Sequence, residues 1–279
     1  MTGTTVIRKE FMKIPKKVID RLPAPIKRYT QIAEEQRSRD VAEADTVTLV
    51  KDIMADCFGY DKYSELTSEQ QIRGTYCDLA IKIENKIQFL VEVKAAGIQL
   101  NDSHVNQAIN YGANEGIEWV VLTNALDWRL YRIRFSQPIE REEVTSFSLA
   151  ELNLKNQDDL KKVFLLCREG LSTGAMDSFH QTAQILNRHT ISEIIQTDAV
   201  IGVIRREFRK LFPDVKIDPS DVSDMLVNDI LKREVTEGDK VKEAKSRVKK
   251  AARKLEKKKE KAAQAKEAAA IQPSTENLV

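Results

Sequence analysis

Apolar positions along the chain change period twice, and the changes mark out its parts. Over residues 40–57 they recur three and four apart (Val47, Val50, Met54, Cys57), the spacing of one helical face, with Asp40 as the expected N-cap and Gly59 as the left-handed stop. The period then shortens. "SELTSEQQIRG", "YCDLAIKI", "KIQFLVEVKA", "EWVVLTNA" and "WRLYRIRF" read as strands, the last beginning after a break at Leu126–Asp127. "IENK" is a tight turn, which predicts an antiparallel hairpin of the second and third strands. "NDSHVNQAINYGANEG" predicts a capped helix closed by Gly116, so the third and fourth strands are joined by a crossover within one sheet. After Phe147 helical spacing returns, near 156–168, 173–187, 190–212 and 218–234. Upstream, residues 1–26 are basic, carry Pro15, Pro23 and Pro25, and read as an arm or linker before a short helix over 26–37.

These elements predict an α/β domain over 40–150, with a mixed central sheet flanked by helices. An arm and short helix (1–39) precede it; a helical domain (151–235) and a Lys-rich helix with a disordered tail (236–279) follow. Hydrophobic content of 42% allows a sizeable core, and 32% charged residues imply a very polar exterior. No run approaches the roughly 18 apolar residues that span a bilayer. "MTGTTVIRKEFMKIPKK" lacks the apolar centre of a signal peptide, so a cytoplasmic protein is expected. Cys57, Cys77 and Cys167 are odd in number and widely spaced, which fits neither a disulfide framework nor a zinc cluster; Cys57 and Cys77 read as small apolar residues.

The net charge of +2 conceals an asymmetry. Residues 239–267 hold 13 basic and 5 acidic side chains, net +8, leaving 32 basic and 38 acidic elsewhere, net −6. A basic tail on an acidic body suits contact with a polyanion, although a solvated Ala/Lys/Glu helix accounts for the tail by itself.

The candidate chemistry begins with "FLVEVKAAG". Glu92 and Lys94 interrupt an otherwise apolar strand, where ionised groups are costly unless paired or ligated. Alternation puts both on one face, opposite Val91 and Val93. Across the hairpin Asp78 shares a face with Ala80 and Lys82 and falls near Glu92 or Lys94. Two converging carboxylates suit a hard divalent cation, and a lysine beside them can position water or offset negative charge; a plain cross-strand ion pair is the simpler account of the tripeptide alone. Glu43 lies 4, 7 and 11 residues before Val47, Val50 and Met54, on the apolar stripe of its helix, where it caps the helix or points into a site. Gln107 and Tyr111, four apart, share a helix face with His104, roughly opposite Val105 and Ile109; an ordinary polar helix face with Tyr111 half buried accounts for them taken alone.

The ordered set Glu43, Asp78, Glu92-Val93-Lys94 and Gln107-x-x-x-Tyr111 resembles the PD-(D/E)xK nuclease superfamily. The blocks "EADT", "CDLAI", "FLVEVKAAG", "QAINYGANEGIEWVVLTNA" and "WRLYRI" are similar to the N-terminal nuclease domain of type I restriction enzyme R subunits, over about residues 40–135. The resemblance implies a restriction-endonuclease-like core that hydrolyses DNA phosphodiester bonds with Mg²⁺ or Mn²⁺. It implies metal ligation by Asp78, Glu92 and the Val93 carbonyl, with Glu43 as an additional ligand. Lys94 then positions the attacking water, while Gln107 and Tyr111 order DNA and the active site. Cys77 stands where the superfamily often has Pro. No GxxxxGK[ST] occurs in these residues, so the resemblance does not extend to a translocating motor; beside DNA as partner, the chain reads as a stand-alone nuclease-like protein or as one that borrows a separate motor or specificity subunit, with a homo-oligomer as a further option.

Two other readings are carried forward: a non-catalytic nucleic-acid-binding protein on the same fold, and an assembly protein in which Glu92–Lys94 is only an ion pair. In "VIRREFRKLF", Arg205, Arg206, Arg209 and Lys210 surround Phe208 and Phe212. An amphipathic packing helix explains them, and phosphate contact is the functional alternative. His180 and His189 lack metal-like spacing and read as surface or packing histidines.

Overall fold

The computed structural model describes residues 13–72 and 75–270. Residues 1–12 of the expected arm and the final "IQPSTENLV" lie outside them. The chain divides into two units at His180 and Gln181.

The first unit opens with α1 (Lys16–Arg21), α2 (Pro23–Ser38) and α3 (Glu43–Asp56). A six-stranded sheet follows: β1 (Leu66–Ile72), β2 (Thr75–Ile83), β3 (Lys86–Val93), then α4 (Asn106–Glu115), β4 (Trp119–Thr123), β5 (Asp127–Arg134) and β6 (Glu140–Ser148). Helices α5 (Gln157–Leu166), α6 (Arg168–Ser172) and α7 (Ala175–Ile185) come next, the two units dividing within α7. Spatial order equals chain order, β1 to β6. All neighbours are antiparallel except β3 and β4, which run parallel because α4 carries the chain across. The expected mixed sheet and crossover are thus present, and Glu84 (φ 51°) and Asn85 (φ 63°) form the two-residue left-handed turn of the β2–β3 hairpin.

Side-chain alternation gives the sheet two apolar faces. Leu79, Ile81, Phe89, Val91, Val93 and Val121 belong to the larger core with residues of α1, α2, α3 and α5. Ala80, Leu90, Val120, Leu122, Tyr131 and Ile133 pack with Val105, Ala108, Ile109 and Tyr111 around α4. β4 is buried at every position, as a central strand covered on both faces must be.

Four expectations are corrected. Residues 16–26 are helical rather than a linker. Pro15 precedes α1 and Pro23 starts α2, where a missing N–H costs nothing, and Val18, Leu22, Ile26, Tyr29 and Ala33 are buried. Asp40 does not cap α3: Ala42 occupies that position without a side-chain hydrogen bond, and Asp40 adopts φ 48°. Likewise α4 follows Val105 without a side-chain cap, although Gly116 (φ 69°) does end it. β6 is a strand that the apolar pattern does not predict, since Val144 and Phe147 are its only large apolar residues and an edge strand needs few.

The second unit contains α8 (Arg188–Ile195), α9 (Asp198–Leu211), α10 (Pro219–Met225), a π-helical turn (Leu226–Ile230), α11 (Arg233–Thr236) and α12 (Asp239–Ala270). The expected helix over 190–212 is broken at Thr197, whose backbone is extended. α12 packs on α8 through its first turns, where Val241 and Ala244 are buried and Arg247 bonds the Gln184 carbonyl. Residues 249–258 are exposed throughout. No described helix is long and apolar enough to cross a membrane.

Candidate active site at the end of the third strand

β3 stops at Val93, so Lys94 is the first residue beyond the strand rather than within it. Its backbone remains fixed, because the Lys94 N–H donates to the Thr123 carbonyl at the end of β4 (2.8 Å). In the β2–β3 ladder Leu79 faces Val91, which brings the adjoining residues Asp78 and Glu92 side by side. Asp78 Oδ2 accepts the Val93 N–H at 2.7 Å, holding that carboxylate against the strand's end.

Glu92 is buried. Its Oε1 accepts from Lys94 Nζ at 2.8 Å, and its Oε2 has no hydrogen-bond partner among the described residues. Lys94 Nζ also lies 3.4 Å from Oε1 of Glu43, the first residue of α3. That helix end is tied in place by the buried Thr46, whose hydroxyl accepts the Ala96 N–H at 3.2 Å. The Glu43 side chain is 46% exposed, so it stands at the open rim of the site rather than in the apolar stripe. One ammonium therefore bridges a buried acid and a rim acid 51 residues before it.

Burial pushes the Glu92 carboxyl up to about 7, the Asp78 charge adds to this, and the Lys94 hydrogen bond opposes it. For Lys94, burial disfavours the ammonium, but the hydrogen bond to Glu92 and the surrounding acids outweigh it and raise the group overall. Cys77, buried and bonded to the Val91 and Leu79 carbonyls, is held up to about 12 by burial and by the charges of Glu92 and Asp78. All three cysteines are free and buried, as small apolar residues would be.

Gln107 and Tyr111 share α4 but differ in setting. Gln107 is exposed, whereas Tyr111 is wholly buried in the α4 core, deeper than a half-buried face residue, and its hydroxyl lacks a hydrogen-bond partner among the described residues. Burial and then the neighbouring Cys77 raise Tyr111 to about 12. His104 serves a turn with Asn101. Arg205, Arg206, Arg209 and Lys210 lie on α9 of the second unit; Arg205 Nε donates to the Ile217 carbonyl (2.9 Å) and Lys210 pairs with Glu207 (2.8 Å). His180 is a packing residue, edge-on to Trp119 and 3.1 Å from Glu142. Thr46 is a positioning residue whose sequence signal is a polar side chain inside an otherwise apolar helical stripe, whereas Thr123 acts through its backbone carbonyl, which carries no signal in residue type.

Among the described residues no three His, Cys, Asp or Glu side chains form a ready-made metal cage. Asp78 and Glu92 nonetheless present hard oxygen donors, and the buried, unpartnered Glu92 Oε2 is the kind of atom a cation satisfies. Glu43 is engaged with the Lys94 ammonium.

Residues 53–146 match the family model of the type I restriction enzyme R protein N terminus. The match runs from the later part of α3 into β6 and contains Asp78, Glu92, Lys94, Gln107 and Tyr111; Glu43 precedes it. No curated protein and no solved structure matches the chain.

Proposed function

We propose that the first unit is a metal-dependent DNA endonuclease of restriction or defence type, with its centre at Asp78, Glu92 and Lys94. The observation that carries this reading is the buried Glu92, one oxygen bonded to Lys94 and the other unpartnered among the described residues, beside Asp78 within the segment that matches the restriction-enzyme family. A surface ion pair has no need of a buried second oxygen, and an isolated pair of this kind stabilises little.

Asp78, Glu92 and the Val93 carbonyl would hold Mg²⁺ or Mn²⁺, and Glu43 at the rim would join them by giving up its contact with Lys94. The cation, when bound, supplies positive charge against the scissile phosphate. Lys94 lends an ammonium with three donors, placed to orient a water towards phosphorus and to offset charge developing on the phosphoryl oxygens. Glu92 must be ionised to ligate, so binding competes with its proton and strengthens as pH rises through about 7. Tyr111 braces α4 from within, and Gln107, one turn earlier, lies on the exposed face of the same helix, where DNA would meet it.

The test incubates supercoiled and linear DNA with the purified chain and Mg²⁺ or Mn²⁺, beside Lys94→Ala. Nicking lost in the variant supports the reading. Intact, salt-sensitive DNA binding without cleavage by either protein would instead favour a binding module, or an enzyme that acts only with a separate motor or specificity subunit.

A further inference from the structure

The second unit displays more large apolar side chains than it buries. Its buried hydrophobic residues among those described are Ile201, Val222, Leu226, Val241 and Ala244. On α9 the apolar stripe runs Ile201, Ile204, Phe208 and Leu211, at steps of three and four, and Phe212 at the C-cap follows Phe208 by four. Ile201 and Ile204 pack with Val222 and Leu226 in a small core. Towards its C-terminus the stripe is uncovered: Phe208 is 39% exposed, Leu211 71% and Phe212 52%. The Phe208 and Phe212 rings pair with each other at 6.2 Å. The facing element repeats the pattern, for while Val222 and Leu226 point inward, Met225 is 59% and Ile230 62% exposed.

The two uncovered patches carry opposite charge. Arg206, Arg209 and Lys210 accompany the α9 patch; Asp224 and Asp229 accompany the Met225 and Ile230 patch, and all five are exposed. Arg205 closes the hairpin on the Ile217 carbonyl, so both patches belong to one folded piece. A surface that is basic and apolar at one end and acidic and apolar at the other is complementary to its own copy under a two-fold rotation. We propose that two copies of this chain associate through this hairpin, the α9 end of each seated on the α10 and π-turn edge of the other. Nucleic acid fits less well: phosphates call for the arginines but not for Leu211, Met225 or Ile230, and Asp224 and Asp229 repel them.

The experiment measures the mass of the full chain by light scattering and sedimentation at tens of micromolar, after removal of nucleic acid. The expected mass is twice 31.8 kDa. Leu211→Asp, at a position too exposed to matter for the monomer fold, raises the dissociation constant by ~10-fold or more with an unchanged circular dichroism spectrum. Two charge-reversed chains give the sharper test, one with Arg206→Glu, Arg209→Glu and Lys210→Glu, the other with Asp224→Lys and Asp229→Lys. Each alone is monomeric, and an equimolar mixture restores the doubled mass, because each altered patch then meets its complement. A wild-type chain that stays at monomer mass, a dimer indifferent to Leu211→Asp, or a mixture that fails to reassociate would overturn the proposal. A monomer whose mass rises only on adding duplex DNA would overturn it too, and would give the surface to nucleic acid.

Discussion

The two units of this chain are built from similar residues and held together differently. In the first, six strands and the helices on both faces bring distant segments into two continuous cores, with Phe58, Trp128, Phe89 and Tyr131 almost wholly buried. In the second, helices pack in pairs, α12 on α8 and α9 with α10, and the α9–α10 hairpin rests on Ile201, Val222 and Leu226. The difference bears on chemistry. Keeping Glu92 dry beside Asp78 requires surroundings that do not yield, because water entering the site would remove the burial that raises its carboxyl. A layered sheet domain meets that requirement, and a helical unit with a thin core does not. The same thinness leaves apolar stripes uncovered for a partner.

The largest expected effect is on activity. Lys94→Ala lowers DNA cleavage by ~100-fold or more, read as initial nicking rates at saturating Mg²⁺, while the thermal midpoint changes little. Unaltered cleavage would remove the centre from the sheet domain. Next come the cores. Trp128→Ala, which empties the space between Phe58 (5.1 Å between ring centroids) and the stacked Phe147, costs about 3–5 kcal/mol in urea denaturation. Phe208→Ala in the second unit costs under about 1 kcal/mol by the same measurement, since much of its ring is already exposed. Equal losses would erase the contrast between the units.

A third effect concerns pH. Glu92 keeps its proton up to about 7, against an ordinary value of 4.5. The native state then binds more protons than the unfolded chain between those values, so metal-free stability is full below them and falls as pH rises through the window. Glu92→Gln removes this penalty. The variant should be inactive, yet more stable at pH 8 by on the order of 2 kcal/mol and nearly unchanged at pH 4.5, as followed by denaturation in chelator. A variant less stable at pH 8 would show that the Lys94 pairing outweighs burial. The smallest effect is expected at the exposed Arg188–Glu234 pair of the second unit (3.0 Å), where Arg188→Ala should change stability by under about 0.5 kcal/mol.

Much of the sheet domain was legible in the sequence. The apolar run of β3, the two-residue turn at Glu84 and Asn85, and Gly116 at the end of α4 are local features whose backbone requirements show in residue type. β6 was illegible because a polar edge strand satisfies its backbone through β5 and has little apolar pattern to display. The expected helix over 26–37 is present within α2, whereas the helical stretch before it, residues 16–25, is hidden by prolines that suit a first turn as well as they suit a linker. For the site, the types and order of Glu43, Asp78, Glu92 and Lys94 could be read, but Tyr111 was placed at half burial because helix spacing gives direction and not depth.

The sequence by itself determined the alternation of strand and helix periods, the parallel crossover between β3 and β4, and the presence of acids and a lysine in an otherwise apolar strand segment. Each follows from rules that act over a few residues. Only the tertiary structure decided that Lys94 bridges Glu92 and Glu43, that Asp78 is clamped by the Val93 N–H, and that one Glu92 oxygen has no partner among the described residues. Those outcomes depend on how closely α3 and β2 pack against the end of β3. Packing distance and access to water belong to the assembled layers, and no local pattern encodes them.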